Sequence, residues 1–267
     1  MSNFTLLGNT IDSQMFGCVI ISGNHTIVID GGTMYDDKQL AGFLAQNSNS
    51  RVDAWFFTHP HHDHIGCFIN VCKNYPEIKI GKVYHHFPDY EALLPHIRTE
   101  NEKELIEDFF RLCDGKDVSK LSVGESFGFD DVTIRVLRVY NPDITENFIN
   151  NSSTVYRIDG EQGSFLILGD LGIEGGDELM ENCPKALLQA EYTQMAHHGQ
   201  NGVSRAFYEY IRPKKCIWPA PDWLWNNDAG NGFDTGPWQT VRTREWVAAL
   251  GVTEHIVEKD GIQKINF

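Results

Sequence analysis

Four of the eleven histidines lie within six residues, in the segment His59-Pro60-His61-His62-Asp63-His64. Neutral imidazoles bind zinc or iron, and a carboxylate beside them suits the same ions. A strand that ends just before a tight loop can direct His59 and His61 to one side, while Asp63 and His64 face a neighbouring point. Because this gives two pairs of ligands rather than one closed set, the spacing predicts two metal ions that share a water. A structural zinc site more often contains cysteine pairs, and no Cys-x-x-Cys pair is present.

Two later segments place metal-binding residue types at the ends of predicted strands. Asp170 follows Gly169 after a predicted strand over 164–168, where a carboxylate can bridge two cations. The alternative is an ordinary turn aspartate. His197 and His198 follow another predicted strand. We expect His197 to be the ligand and His198 to lie behind the ligands or to face the substrate, and the reverse assignment is the alternative.

The elements that must position these residues alternate along the chain. Strands are predicted over 17–22, 26–30, 52–58, 78–85, 191–196, 215–218 and 254–257, and strand-rich stretches over 127–139 and 154–168. Helices are predicted over 36–45, 65–74, 99–113, 203–211 and 239–250. Mixed strands and helices in both halves indicate an α/β layered architecture. Because no repeat, long linker or low-complexity segment interrupts the chain, we expect a single domain over residues 1–267.

Composition excludes several classes of function. The 267 residues are 41% hydrophobic, which rules out disorder as the main state, and the net charge of −15 makes broad nucleic-acid binding unfavourable. A small or short anionic substrate remains compatible with this charge, because a metal supplies positive charge locally. The sequence has no signal peptide, no membrane-spanning apolar run and only scattered cysteines. We therefore expect a cytoplasmic protein with reduced thiols and no membrane partner, whereas the sequence leaves its oligomeric state open.

The chain resembles the metallo-β-lactamase superfamily through the pattern His59-x-His61-x-Asp63-His64, with Asp30 before it and Asp170 and His197 after it. The segment 150–155, followed by Gly169-Asp170 and His197-His198-Gly199, is similar to the hydrolase domain of ComEC-type competence proteins. The resemblance implies a four-layer αβ/βα sandwich of two mixed sheets flanked by helices. It also implies a metal centre at their shared edge and hydrolysis by a metal-bound hydroxide.

The resemblance also implies a role for each site residue. His59 and His61 would hold the first metal, Asp63, His64 and His197 the second, Asp170 would bridge them, and Asp30 would orient the cluster from behind. Asp63 and Asp170 would position the nucleophile, and His198 or a bound water would protonate the leaving group. The implied cofactors are two divalent ions, zinc with manganese or iron as alternatives.

One departure from the superfamily pattern concerns the first metal. Many members supply it with a further histidine, where this chain has Asn150-Asn151-Ser152-Ser153. We expect Asn151 and Ser153 to lie near the metals or the substrate, with strand-entry turn residues as the alternative. The first site is then weaker, exchangeable or occupied by a harder ion such as manganese.

A second open point is the Trp-rich segment 219–237, which either walls the cleft or caps a small core.

The resemblance implies a metal-dependent hydrolase, and the similarity to ComEC-type hydrolase domains favours phosphoesters or phosphodiesters as substrates. A hydrolase of thioesters, lactones or lactams would use the same metal centre, and a non-catalytic regulatory metal-binding module is the third class. No Gly-rich phosphate loop, dinucleotide fingerprint or nucleophile elbow is present, which argues against nucleotide cofactors and serine hydrolase chemistry.

Overall fold

Fourteen strands in two sheets form the framework of the chain, in a computed structural model that describes residues 2–267. The strands are β1 (Asn3–Leu6), β2 (Gly17–Ser22), β3 (His25–Asp30), β4 (Arg51–Phe56), β5 (Lys79–His85), β6 (Asp117–Lys120), β7 (Ser126–Phe129), β8 (Val132–Arg138), β9 (Val155–Asp159), β10 (Ser164–Ile167), β11 (Tyr192–Gln194), β12 (Lys215–Trp218), β13 (Glu254–Val257) and β14 (Gln263–Asn266). The helices are α1 (Asp37–Asn47), α2 (His62–Asn74), α3 (Tyr90–Leu93), α4 (Glu100–Cys113), α5 (Phe148–Asn151), α6 (Ile173–Asn182), α7 (Lys185–Leu188), α8 (Arg205–Ile211), α9 (Asp222–Trp225) and α10 (Thr240–Ala249). Single 3₁₀ turns occupy Leu94–His96, Ala196–Gly199 and Glu258–Asp260.

Each sheet contains seven strands and mixes parallel with antiparallel pairs. The first sheet has the order β14-β1-β2-β3-β4-β5-β6, and the second has β13-β12-β11-β10-β9-β8-β7. Strands β3 to β6 are parallel to one another, as are β10 to β13. The carboxyl ends of parallel strands are the usual place for a ligand site in such sheets.

The two sheets pack face to face, and the helices cover their outer faces. Apolar residues from both sheets share one core, in which the rings of Phe4 and Phe165 stack with centroids 4.3 Å apart. On the outer face of the first sheet, Trp55 packs against Phe68 of α2. A further core lies between the second sheet and the helices that include α8. The order helix–sheet–sheet–helix confirms the predicted four-layer sandwich.

Most predicted elements are present, and those that were missed have identifiable reasons. Strands β1, β6 and β14 are only four residues long, too short for a clear alternating pattern. Helix α6 was not predicted because it contains Gly175 and Gly176. A Cβ atom on these residues would lie 2.4 Å from Leu171 Cδ1 and 2.9 Å from Val203 Cγ1, respectively. Close packing of the helix therefore excludes side chains at both positions.

The Trp-rich segment 219–237 packs on the core of the second sheet. The rings of Trp218 and Trp225 meet edge to face at 5.3 Å, and the Arg244 guanidinium lies 4.0 Å from the Trp225 ring. The rings of Trp223 and Trp238 lie 4.7 Å apart. Of the two alternatives, this packing matches a cap over a small core.

Within residues 2–267, no helix is both long enough and apolar enough to cross a bilayer. All six cysteines are free thiols, and five of them are buried.

Candidate metal centre

The histidine-rich segment lies where β4 and two strands of the second sheet end. Strand β4 ends at Phe56, and α2 begins at His62, so Asp63 and His64 lie in the first turn of a helix rather than in a loop. The two sheets are joined at this edge by a hydrogen bond from the Thr154 amide to the Thr58 carbonyl, 2.9 Å. The ends of β4, β10 and β11 thus bring residues far apart in sequence to one point.

One group of ligand atoms is contributed by Asp63, His64, Asp170 and His198, which lie within 4.8 Å of one another. All four side chains are buried. His64 Nε2 lies 3.2 Å from Asp170 Oδ1, and His198 Nε2 lies 3.2 Å from Asp63 Oδ2 and 3.4 Å from Asp170 Oδ2. Two imidazoles and two carboxylates in this arrangement can hold a borderline divalent cation.

A second group consists of His59, His61 and, again, Asp170. His59 Nε2 lies 3.6 Å from Asp170 Oδ2 and 2.9 Å from His61 Nδ1. Asp170 therefore belongs to both groups.

Three of these histidines are fixed by contacts on the side away from the centre. His64 Nδ1 lies 2.8 Å from Asp30 Oδ2, and the Asp30 carboxylate also accepts hydrogen bonds from the Thr58 amide and hydroxyl. His198 Nδ1 donates to the Pro219 carbonyl, 2.8 Å, and His59 Nδ1 lies 3.1 Å from Thr58 Oγ1. Such outer partners orient the ring and leave the inner nitrogen free for a metal. Asp30 thus lies behind His64, where the resemblance implies an orienting carboxylate.

The donor atoms fit a cation. His64 Nε2, His198 Nε2 and Asp170 Oδ1 are buried, and none forms a hydrogen bond of normal geometry within residues 2–267. Buried polar atoms that lack partners are costly in a folded protein, and a bound ion at this point would satisfy them together. The oxygen and nitrogen donors and the absence of thiolates match zinc, iron or manganese.

The charges agree with this conclusion. Burial alone would raise the pKa of Asp170, but the His198 and His64 imidazoles hold it well below its ordinary value. Burial lowers the pKa of His61 to about 4. Burial also favours the neutral form of His198, but the carboxylates of Asp170 and Asp63 outweigh it and raise the pKa of His198 to about 10. The carboxylates thus draw positive charge to the centre, which a divalent cation supplies.

The two adjacent histidines after β11 occupy the opposite positions from those expected. His198 is fully buried and belongs to the four-residue group, whereas the expected ligand His197 does not. His197 Nε2 lies 3.9 Å from Asp170 Oδ2 and 3.4 Å from Asn150 Nδ2, and its Nδ1 donates to the Asn201 carbonyl. The geometry therefore favours His198 as the ligand and leaves His197 at the open side.

The chain turns here through left-handed backbone. His197, His198 and Gly199 have φ angles of 51°, 58° and 82°. Such angles are strained for residues with a Cβ atom, which His197 and His198 both have. The backbone strain is held at the functional residues by the Pro219 contact and by Trp218, against which Gly199 packs.

Replacing Gly199 with alanine is expected to lower the free energy of unfolding by about 2–4 kcal/mol, through left-handed strain and overpacking. The new Cβ atom would lie 2.3 Å from the Trp218 ring. Urea unfolding followed by tryptophan fluorescence measures the loss. Gly42→Ala is the matched control, because no atom lies near its Cβ position in α1 and alanine should stabilise that helix by about 0.5–1 kcal/mol. A Gly199→Ala variant as stable as the parent would refute this account of the turn.

The two polar residues expected beside the metals have different positions. Asn151 faces away from the centre, because its Oδ1 accepts hydrogen bonds from the Gly172 and Gly175 amides at the start of α6. The expectation that Asn151 faces metal or substrate is therefore not supported by these contacts. Ser153 lies behind Asp170, whose amide donates to the Ser153 hydroxyl, 3.1 Å.

Two further residues near the centre were not predicted as site residues. Gln14 Nε2 donates to Asp63 Oδ2, 3.0 Å, and Gln14 Oε1 accepts from Gln200 Nε2, 3.0 Å. Asn150 lines the open side with a buried amide oxygen that has no hydrogen bond in the described chain. Gln14 belongs to no recognisable motif, and Asn150 lies in the segment 150–155 but was not singled out as a site residue, so the spatial arrangement reveals both.

A cleft of about 920 Å³ opens onto both groups of ligands. Its lining includes His61, Asp63, Asp170 and His197 on the floor, with Lys73 and Arg98 on a wall formed by α2 and the start of α4. None of the residues 219–237 is part of this lining. A volume of this size accommodates a small molecule or a short oligomer.

Comparison with known sequences agrees with the geometry. A family model described as "Metallo-beta-lactamase superfamily" matches residues 18–216. The chain is also 27% identical over 184 residues to "ComE operon protein 3" of Bacillus subtilis (strain 168). That match covers 68% of this chain but only 21% of the relative, so the chain spans about a fifth of the relative's length.

Solved structures share the fold at low sequence identity. The diiron β-hydroxylase CmlA from Streptomyces venezuelae aligns with a TM-score of 0.61 and 12% identity, over 100% of this chain and 54% of CmlA. A diphosphatase of the PhnP family aligns with a TM-score of 0.53 and 12% identity, over 100% of this chain and 98% of that chain. Because these two proteins have different activities, the shared fold does not identify the reaction.

Proposed function

Because the chain belongs to the metallo-beta-lactamase superfamily, we propose that it is a metal-dependent hydrolase of phosphodiesters or related phosphoesters. The observation that carries the proposal is Asp170, a buried carboxylate that lies within ligand distance of two separate groups of histidines at the floor of one cleft. A structural metal site would be closed, whereas this centre has an open side.

Two divalent ions bound here would make a water ionise near neutral pH and would polarise the oxygen of the scissile bond. The chain's own residues hold and orient that centre. His59 and His61 form one side, Asp63, His64 and His198 form the other, and Asp170 serves both. The ring positions are set by Asp30, Thr58 and the Pro219 carbonyl, so that little rearrangement is needed when substrate binds.

His197 is the better candidate for proton transfer. It lines the cleft, its side chain is 19% exposed and its Nε2 is 3.9 Å from Asp170 Oδ2. The expectation from the sequence gave this role to His198 or a bound water, but His198 is fully buried among the carboxylates, and its Nδ1 donates to the Pro219 carbonyl. A partly exposed imidazole beside the open side can give a proton to a leaving group, which a buried ligand cannot do.

One residue of the cleft wall, Arg98, favours an anionic substrate, although Glu102, Glu104 and Asp108 line the same wall. The Arg98 guanidinium forms neither a hydrogen bond nor an ion pair within the described residues, although Lys73 is neutralised by Asp108. A free guanidinium that lines the same cleft as the candidate metal ligands favours phosphate oxygens. The net charge of −15 opposes a long polyanion, so a small or short substrate is favoured.

Paired assays test the proposal. Protein purified without an affinity tag is stripped with chelator, reloaded with zinc or manganese, and assayed on bis-p-nitrophenyl phosphate, a chromogenic thioester and a chromogenic β-lactam. We expect metal-dependent turnover, with kcat/KM for the diester at least about tenfold above the other two, equivalent to about 1.4 kcal/mol of transition-state stabilisation. A parallel preparation of Asp170→Asn controls for contaminating hydrolases.

The other outcomes select the alternatives. Preference for the thioester or the lactam would replace the phosphodiester proposal with hydrolysis of a carbonyl compound at the same centre. Metal binding without turnover on any of these substrates would favour a regulatory metal-binding module.

A further inference from the structure

One histidine of the centre differs from the other three in its outer contact. His59, His64 and His198 each have a partner on the outer nitrogen at 3.1 Å or less. His61 directs Nδ1 towards His59 Nε2, and its outer Nε2 faces Glu102, whose Oε1 is 3.7 Å away. Glu102 thus faces the outer nitrogen of His61 as Asp30 faces that of His64, but at 3.7 Å rather than at the hydrogen-bond distance of 2.8 Å.

The Glu102 carboxylate is held in place by the start of α4. Thr99 is the N-cap of this helix, and its hydroxyl accepts a hydrogen bond from the Glu102 amide. Glu102 Oε2 in turn accepts from the Arg98 amide, 2.8 Å. This Thr-x-x-Glu arrangement is a capping box shifted by one residue, because the glutamate reaches the residue before the cap. One carboxylate oxygen therefore fixes the helix start, and the other is left to face His61.

The same geometry excludes Glu102 as a direct ligand. It belongs to neither group of ligand atoms that lie within 4.8 Å of one another. Its side chain is 17% exposed, so the carboxylate is partly shielded from water. A partly buried carboxylate beside the outer nitrogen of an imidazole raises the basicity of the ring and fixes its tautomer.

We propose that Glu102 is a positioning residue for His61: it accepts the Nε2–H proton, which leaves Nδ1 free to bind the first metal. This inference rests on the proposed function, because it requires an ion beside His59 and His61. It also explains how this site, which lacks the further histidine of many relatives, can retain an ion. An anchored His61 offsets the shortage of protein ligands.

Metal titration of the chelator-treated protein tests this inference independently of activity. Competition with a chromophoric chelator gives two dissociation constants for zinc, and anomalous diffraction identifies the ion affected. Glu102→Ala is expected to weaken the ion beside His59 and His61 by about 10–100-fold, and to leave the other site within about threefold. Glu102→Gln should lose less, because an amide oxygen still accepts the Nε2–H proton.

A further variant separates positioning from a general effect on the helix. Glu100→Gln changes an exposed carboxylate in the first turn of α4 whose ion-pair partner within residues 2–267 is Lys103. It should bind two ions with the parental constants. The inference is overturned if Glu102→Ala binds both ions normally, if it weakens both equally, or if Glu100→Gln reproduces its effect. Failure of the parental protein to bind two ions would instead refute the proposed function.

Discussion

Replacing Asp170 with asparagine should lower kcat/KM by about three to four orders of magnitude, equivalent to about 4–5.5 kcal/mol of activation free energy. Asp170 is the one residue shared by both groups of ligand atoms in the described chain, and its pKa lies well below its ordinary value. An amide of the same shape keeps the packing but removes the negative charge that two cations need. We also expect the stoichiometry of bound metal to fall below two.

Plasma mass spectrometry of the purified variant, together with steady-state kinetics, measures both effects. Far-UV circular dichroism should remain unchanged. Asp177→Asn makes the same chemical change at an exposed position in α6 and should leave turnover and metal content at the parental level. Near-parental turnover of Asp170→Asn would contradict the claim that turnover depends on the Asp170 carboxylate shared by the two groups of ligands.

Replacing His198 with alanine should be far more damaging than replacing His197. His198 Nε2 lies within 3.4 Å of both Asp63 and Asp170, and the Pro219 carbonyl fixes its ring. We expect metal affinity at that site to fall by more than the roughly 100-fold typical for loss of an outer partner. His197→Ala should keep both ions and lose turnover only, by about 10²–10⁴-fold if it is the proton donor.

The paired variants are informative because the two residues are adjacent and share the same backbone strain. Isothermal titration with zinc reports metal binding, and steady-state kcat reports the loss of the proton donor. If His197→Ala lost a metal ion while His198→Ala retained two, the assignment from sequence would be restored.

Most of the metal centre was predictable from the sequence, but the roles of His197 and His198 were not. The order of the motifs and their positions at strand ends predicted a centre that includes His59, His61, Asp63 and Asp170, and the structure brings these residues together. The sequence alone could not show whether His197 or His198 is the ligand. That choice depends on three successive residues with left-handed backbone and on the Trp218 ring behind Gly199. Those φ angles are imposed by tertiary packing and leave no periodic signal.

A similar limit applies to residues that support the centre from outside. Gln14 and Glu102 contact Asp63 and His61 across 49 and 41 positions of sequence, and neither follows from local spacing. Glu102 did have a local signal, the Thr-x-x-Glu pattern at the start of α4, but that pattern by itself predicts only a helix cap. For Asn151, its place in the segment where many superfamily members have a further histidine suggested the site, yet its side chain caps α6 instead. Elements with strong periodicity, such as α4, were predictable, and short edge strands such as β14 were not.

Anomalous diffraction from crystals grown with manganese or zinc tests the central claim most directly. The account predicts two peaks on either side of Asp170, one within coordination distance of Asp63, His64 and His198, the other beside His59 and His61. Data collected above and below the absorption edge distinguish the metal from other ions. A single peak that does not contact Asp170, or no peak at either group of histidines with the metal in excess, would contradict the account.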